Sequence, residues 1–273
     1  MNRHDDHYEV IIVRYGTRST TRSEVYLNHQ LYHEADGPID MDYFVWVVRN
    51  DARTILVDTG FSHEGGARRG RTTLVPPADA WRALGIEPSD APPIVLTHAH
   101  YDHVGNITHF PDSPIVIAAA ELDFWSGPHA HHPLFAHSVE DDELAALRAA
   151  HRAGRVRIFT GSITVAPGVE MIQVGGHTPG QSVVRVQTAE GPVLLASDAV
   201  HYYEELERDM PFTSVADLVE MYDGFARIRS LVADGAVRHV VSGHDPATLS
   251  RFTPLGEPLP GLAAVIGRMG GAE

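Results

Sequence analysis

Residues 93–106 read PIVLTHAHYDHVGN. An apolar run at 94–96 feeds into three histidines and an aspartate: His98, His100, Asp102 and His103. Residues at i and i+2 share one face of an extended chain but lie about 200° apart on a helix. His98 and His100 can therefore meet one metal only if the backbone is extended, which the preceding run favours. The segment DHVGN then begins a turn or helix and aims Asp102 and His103 elsewhere. Two neighbouring metals are expected, the first pair serving one and the second pair the other.

Three further candidates sit at strand ends: His177 in VGGHTPGQS, Asp198 in LLASDAV and His244 in VVSGHDP. Each follows an apolar run and precedes a turn, which places the side chain at the rim of a rigid sheet. Glycines beside His177 and His244 allow close approach of the backbone. A lone histidine after a strand is ordinarily hydrogen-bonded or solvated. The ordered series H-x-H-x-D-H, H-T-P-G, S-D and G-H is far more specific than any one of its members.

The chain has 273 residues, 43% of them apolar, enough for a sizeable core. Lys and Arg number 21 against 36 Asp and Glu, a net charge of −15. Phosphate backbones and anionic membrane surfaces need a basic face, so neither nucleic acid nor membrane is an expected partner. Cysteine is absent, which removes disulfides, thiolate ligands and thiol nucleophiles. The start, MNRHDDHYEV, is polar without a signal-peptide core, and no apolar run reaches spanning length. A cytoplasmic protein is expected. His4, His7 and His29 lie in polar surroundings and are expected to be solvated.

Strands are expected at YEVIIVRYG, DYFVWVVRN, TILVDTG, PPIVLTHAH, SPIVIAAA, GVEMIQVGG and VRHVVSGHD, with a hairpin around AEGP. Helices are expected at PADAWRALGI, VEDDELAALRAAHRAG and SVADLVEMYDGFARIRSLVADG. In the last, Leu218, Met221, Tyr222, Phe225, Ile228 and Leu231 form a stripe read as core packing. The order of elements suggests packed sheets with helices outside, an α/β (α+β) class. One domain, 1–273, is expected, with a core over about 8–250 and a surface tail at 251–273.

These motifs resemble the metallo-β-lactamase superfamily. LVDTG, with Asp58, THAHYDH, GGHTPGQS, ASDA and SGHD match its motifs in order. The resemblance implies an αββα sandwich with two metals at one edge of the sheets. It implies His98, His100 and His177 on one metal, Asp102, His103 and His244 on the other, and Asp198 bridging. Asp58 would stand behind them, holding a ligand or its loop; its plainer reading is a buried turn cap with Thr59. Imidazole and carboxylate ligands without sulfur suit Zn²⁺, with Fe, Mn or Co as alternatives. Two dications make a bridging hydroxide available near neutral pH and polarise a carbonyl.

Within the superfamily the chain is similar to N-acyl homoserine lactonases and the 4-pyridoxolactonase-like group, which implies lactone opening and quorum quenching. His at position 100 disfavours the flavodiiron branch, the missing cysteine the thiol-ligated β-lactamases, and the charge the tRNA-processing nucleases. A glyoxalase II-like thioester hydrolase is the alternative enzyme, and an idle metal-binding or regulatory protein the alternative of another class. Two positions depart from the lactonase pattern. Gln181 stands where His is usual, and His201 stands where N-acyl homoserine lactonases place a Tyr. His201 is expected either to donate to the oxyanion or to sit at the solvated cleft edge. Of Tyr202 and Tyr203, one is expected to face the site, with Tyr203 assigned a catalytic role and Tyr202 a place in the substrate pocket. Asp102 is expected to pass the proton.

The segment 120–137 is read either as an exposed loop or as a pocket wall carrying Trp125. Its histidines, His129 among them, are expected outside the ligand set. Met210 and Phe212 are expected to line the acyl side. The site motifs contain no Lys or Arg, so a neutral lactone is the expected substrate. A small lactone and at most a second copy of the chain, as a homodimer, are the expected partners.

Overall fold

The computed structural model describes residues 6–268. Among these, the strands form two sheets, of nine and five strands. The larger runs Thr253–Pro254, Ala263–Ile266, Glu9–Thr21, Pro38–Asn50, Arg53–Val57, Ile94–Val95, Ile115–Ala118 and Val156–Phe159, and Thr72–Thr73 pairs with the long first strand. The smaller runs His239–Ser242, Val193–Ser197, Ser182–Val186, Val169–Gln173 and Ser162–Ala166.

The apolar runs are nearly continuous because both faces of the large sheet are buried. Side chains alternate between the faces with the pleat. Val10, Ile12, Trp46 and Val57 point to one side and meet Met171, Val184 and Leu195 of the small sheet. Ile11, Val13, Val47 and Leu56 point to the other and meet Trp81, Leu122 and Leu147 of the helices Pro77–Ala83, Ala119–Ser126 and Asp141–Arg152. The outer face of the small sheet, with Ile172, Val183 and Leu194, is covered by the helix Leu218–Ala233 through Met221, Phe225 and Ile228. The order is helix, sheet, sheet, helix, the expected layering.

The long helix starts where Asp217 accepts hydrogen bonds from Val219 N and Glu220 N at 2.9 and 3.0 Å, satisfying two donors the helix cannot. The expected stripe is narrower than its spacing suggested. Leu218 and Tyr222 are 40% and 39% exposed, because the covered face spans only one side of the helix. The expected surface tail is also corrected. Ala263–Ile266 is a buried strand pairing antiparallel with Val10–Val13, and its short apolar run after a Pro- and Gly-rich stretch hid this. His29 is buried, not solvated, whereas His7 is exposed; His4 lies outside the described residues.

Two sets of parallel neighbours decide where chemistry can sit. Arg53–Val57, Ile94–Val95 and Ile115–Ala118 run parallel in the large sheet, as do Val193–Ser197 and His239–Ser242 in the small one. Their carboxyl ends come together, joined by the hydrogen bond from Ser182 N to Thr97 O at 3.0 Å. The turn after these ends is close-packed at Gly105. A Cβ there would lie 2.5 Å from Ser62 N and 2.6 Å from Gly60 O, both backbone atoms that cannot swing aside. Gly105→Ala is therefore expected to destabilise the fold by roughly 1–3 kcal/mol or more through overpacking. Denaturant unfolding checks this, and an unchanged midpoint would contradict it.

Candidate metal centre

His98 and His100 follow Ile94–Val95 on extended backbone, and His100, at φ −67° and ψ 156°, caps the short helix Tyr101–Val104. That single turn swings Asp102 and His103 to a second position. Tyr15 Oη fastens the turn, donating to Asp102 O at 3.1 Å and accepting from Phe61 N at 2.9 Å. His177 sits in the loop between Val169–Gln173 and Ser182–Val186, and Asp198 and His244 follow the ends of the parallel pair. All seven predicted ligands are buried and gather in two groups. His98, His100, His177 and Asp198 form one; Asp102, His103 and His244 form the other.

Asp198 faces both groups. Its Oδ2 lies 3.3 Å from His177 Nε2 and 3.7 Å from His98 Nε2. Its Oδ1 lies 3.2 Å from His103 Nε2 and 3.1 Å from His244 Nε2. Asp102 is more distant, 3.8 Å from His103 Nε2 and 3.9 Å from His244 Nε2.

The outer ring nitrogens fix the tautomers. His177 Nδ1 donates to Ser214 O and His244 Nδ1 to Asp42 O, both at 2.7 Å. His103 Nδ1 donates to Asp58 Oδ2 at 2.8 Å. Thr97 Oγ1 gives its proton to Asp58 Oδ2 at 2.7 Å, which leaves it to accept from His98 Nδ1 at 3.2 Å. In neutral rings the inner Nε2 atoms then carry lone pairs. His100 presents its Nδ1 to the same place, 2.9 Å from His177 Nε2. Lone pairs thus face one another and a carboxylate, and His98 Nε2 and His103 Nε2 are buried without a hydrogen-bond partner among the described residues. Orphaned acceptors converging in this way fit a divalent cation at each group, and the outer hydrogen bonds are those that orient metal-binding imidazoles.

Burial, with the neighbouring histidines, pushes the His98 and His100 pKa values well down and His177 to about 3, so these rings are neutral at physiological pH. Burial acts the same way on His103, but Asp198, Asp58 and Asp102 outweigh it and raise that ring. Asp58 also accepts from Thr97 N at 2.8 Å, at a left-handed φ of 59° that few non-glycine residues adopt. It holds both a histidine and the loop that carries His98, and Ser197, at φ 46°, meets Thr97 Oγ1 at 2.8 Å.

Several expectations about the second half of the site are corrected. His201 neither donates into the cleft nor sits at its edge. It is fully buried behind Asp198, its Nε2 3.1 Å from Asp198 Oδ2, its Nδ1 3.3 Å from Glu205 Oε1 and its ring 3.9 Å from that of Phe212. The turn after Asp198, closed by Val200 N to Ser197 O, folds position 201 back under the carboxylate. Tyr203 lies on the far side, with Ser242 N 3.4 Å from its Oη and the Arg251 guanidinium 3.5 Å over its ring. Tyr202 donates to Asp40 O at 3.2 Å inside the core. Neither tyrosine lines the cleft, and Met210 is packed in the core; Phe212 does line it.

The cleft over the two groups has two lobes. One, of about 200 Å³, is walled by Phe124, Trp125, Leu134 and Phe135, so segment 120–137 is an ordered wall. The other, of about 440 Å³, carries Tyr43, Tyr101 and three arginines, Arg18, Arg69 and Arg71. His100 and His177 border both. The expectation of a cleft without basic side chains is therefore overturned: the arginines come from segments remote from the site motifs. His129 is exposed and outside both groups.

Sequence reading also missed Glu121. Fully buried, it accepts from Ala99 N at 2.9 Å, Trp125 Nε1 at 2.7 Å, Thr178 Oγ1 at 2.6 Å and Gly180 N at 3.0 Å. It ties the His98–His100 loop to the His177 loop and to the apolar wall. No local pattern marks it, since its partners are spread over 82 positions of the chain, from 99 to 180. Glu121→Ala strands four buried donors and is expected to lower stability by several kcal/mol, at about 1–3 kcal/mol for each group left unsatisfied. Metal affinity should fall about 10–100-fold, as for other groups that orient ligands from outside. Glu121→Gln should fall between. Unfolding curves and chelator competition check both, and wild-type metal affinity in the alanine variant would contradict the role.

A family model described as the metallo-beta-lactamase superfamily matches residues 40–236. An N-acyl homoserine lactonase of Bacillus sp. is 27% identical over 189 residues, 64% of this chain and 70% of that protein. The Bacillus thuringiensis N-acyl homoserine lactonase is 24% identical over 204 residues, covering 68% and 76%. Among solved structures, a quorum-quenching N-acyl homoserine lactone lactonase superposes with TM-score 0.74 at 21% identity, over 89% of this chain and 94% of the other. The dizinc quorum-quenching lactonase AidC gives 0.69 at 20% identity, over 97% and 96%. At these identities the superpositions speak for the fold. The family match spans most of the chain, and with the layering and the two ligand groups it identifies this protein as a member of the metallo-β-lactamase superfamily.

Proposed function

We propose that this protein is a dinuclear metal-dependent hydrolase that opens a lactone ring. The observation that carries the reading is the Asp198 carboxylate, with one oxygen turned to each group of inward-facing histidine nitrogens beneath a two-lobed cleft. The lactonase names of the similar proteins point to the ring ester as substrate.

His98, His100 and His177 would hold one ion, Asp102, His103 and His244 the other, with Asp198 between them. Zn²⁺ is the ion we assign, on the borderline nitrogen and oxygen donor set and its absence of sulfur. When bound, the pair supplies Lewis acidity that makes water nucleophilic near neutral pH and polarises the ester carbonyl. The rest belongs to the chain. His100 and His177, shared by both lobes, place the reacting ester where the lobes meet. Phe124, Trp125 and Phe135 receive an apolar arm and exclude water from it. Water adds to the carbonyl carbon, the ring C–O bond breaks, and the departing alkoxide needs a proton. Asp102 lines the cleft beside the second group and is placed to carry that proton on its carboxylate. His201, fixed by Glu205, holds the Asp198 carboxylate from behind.

The three cleft arginines favour one second reading: a glyoxalase II-like thioester hydrolase, whose glutathione carrier is anionic. Rates measured side by side on a lactone panel and on lactoylglutathione separate the two. Lactone turnover should exceed thioester turnover, and the reverse for every lactone tested would overturn the assignment. Chelation should abolish activity and added Zn²⁺ restore it. Asp198→Ala should cost at least the roughly 10²–10³ in kcat typical of losing one preorganised electrostatic group. His129→Ala should leave the rate near wild type. Similar behaviour of these two variants would refute the ligand assignment.

A further inference from the structure

We infer that the substrate carries an anionic group, most simply a carboxylate, which Arg18 and Arg71 bind in the larger lobe of the cleft. The inference rests on the lactone-opening reading and specifies its substrate class. The three arginines of the lobe are not equivalent. Arg69 is already engaged, by Glu140 and by the carbonyls of His137 and Val139. Arg18 and Arg71 have no carboxylate within ion-pair distance among the described residues, although the chain carries a large acidic surplus.

Arg71 is half-buried and held in place. Its Nε donates to Tyr101 Oη at 3.0 Å and its Nη1 to Arg69 O at 2.8 Å, which leaves Nη2 as the end without an acceptor among the described residues. Its guanidinium carbon lies 5.8 Å from the centre of the Tyr43 ring. Arg18 lies beside it: the strand Glu9–Thr21 pairs antiparallel with Thr72–Thr73, Gly16 against Thr73 and Thr17 against Thr72, so the next residues along the two segments are Arg18 and Arg71. The Arg18 Nε is buried and has no acceptor among the described residues. A buried N–H without a partner costs free energy, and a charged one costs more. Both guanidiniums act on Tyr43: burial pushes that phenol up to about 12, while Arg71 and Arg18 pull it back.

None of the acidic groups of the lobe forms an ion pair with either arginine. Glu24 is turned to Thr20 Oγ1 at 2.5 Å, and Asp102 and Asp198 face the ligand histidines. A guanidinium offers parallel N–H donors matched to a carboxylate, so two neighbouring ones without a carboxylate partner form an anion clamp. The apolar lobe lies on the other side of His100 and His177. The expected substrate is accordingly a lactone with the ester at the metal groups and the anion towards Arg18 and Arg71.

Two γ-lactones of equal length test this: N-succinyl homoserine lactone, which ends in a carboxylate, and N-butyryl homoserine lactone, which ends in a methyl. Wild-type kcat/KM should favour the succinyl compound by roughly tenfold or more, as expected for charge-assisted hydrogen bonds, with the difference mainly in KM. Its KM should rise with salt and that of the butyryl compound should not. In Arg18→Met and Arg71→Met the succinyl-to-butyryl ratio should collapse towards one, and Arg71→Lys should keep part of it. Circular dichroism melts guard against misfolded variants, and the salt dependence of the wild type tests the clamp without any variant. Equal rates on the two lactones, a preference for the neutral one, or an unchanged ratio in both methionine variants would overturn the clamp while leaving lactone opening intact. If neither lactone is turned over but lactoylglutathione is, the lactone reading falls and this inference with it.

Discussion

A carboxylate buried among histidine nitrogens that cannot all hold protons is the constraint on which this structure turns. Asp198 stands between two groups of imidazoles whose outer nitrogens are committed to Ser214 O, Asp42 O, Asp58 and Thr97. Those bonds fix where the protons are and so force lone pairs inward. An inward ring of lone pairs around a carboxylate repels itself in a medium where water cannot screen it. Two cations would resolve the conflict at once. The alternative, charging several buried imidazoles, is opposed by burial at His98, His100 and His177.

The fold supplies this arrangement through the ends of parallel strands. The two sheets are packed face to face by Ile12, Trp46, Val184, Leu195 and their neighbours, which sets the separation of the two sets of strand ends. Six of the seven candidate ligands follow those ends within a few residues, and His177 sits in the loop between Val169–Gln173 and Ser182–Val186, so little chain is free to drift. Two of the six non-glycine residues with positive φ among the described residues, Asp58 and Ser197, sit there, and both contact Thr97. Glu121 then joins the His98 and His177 loops across the site, and it adds Trp125 of the apolar wall to the same network. Positioning and substrate shape are thereby coupled through a single buried carboxylate.

The two groups of ligand-type residues were legible in the sequence because their signal is local. H-x-H on extended chain, the turn at Asp102 and His103, and the glycines beside His177 and His244 each state their geometry within a few residues. The layering was legible for a similar reason, since strands buried on two faces read as unbroken apolar runs. What was misread depends on distant partners. His201 and Tyr203 looked like cleft residues from their place after Asp198, but the turn at Val200 reverses the chain beneath that carboxylate. Arg18 and Arg71 lie far from every site motif, and only the pairing of Thr72–Thr73 with the first strand and the Tyr43–Tyr101 neighbourhood bring them to the cleft. The last strand, Ala263–Ile266, was taken for surface tail because four apolar residues carry little periodicity on their own.

The claim at the centre of this account is that the two ligand groups each bind an ion. Elemental analysis of fully active protein, combined with anomalous scattering from a crystal, tests it most directly. The account predicts about two metal ions per chain, one peak bounded by His98, His100 and His177 and a second by Asp102, His103 and His244, with Asp198 reaching both. A single ion, or none, in protein with full activity would contradict it.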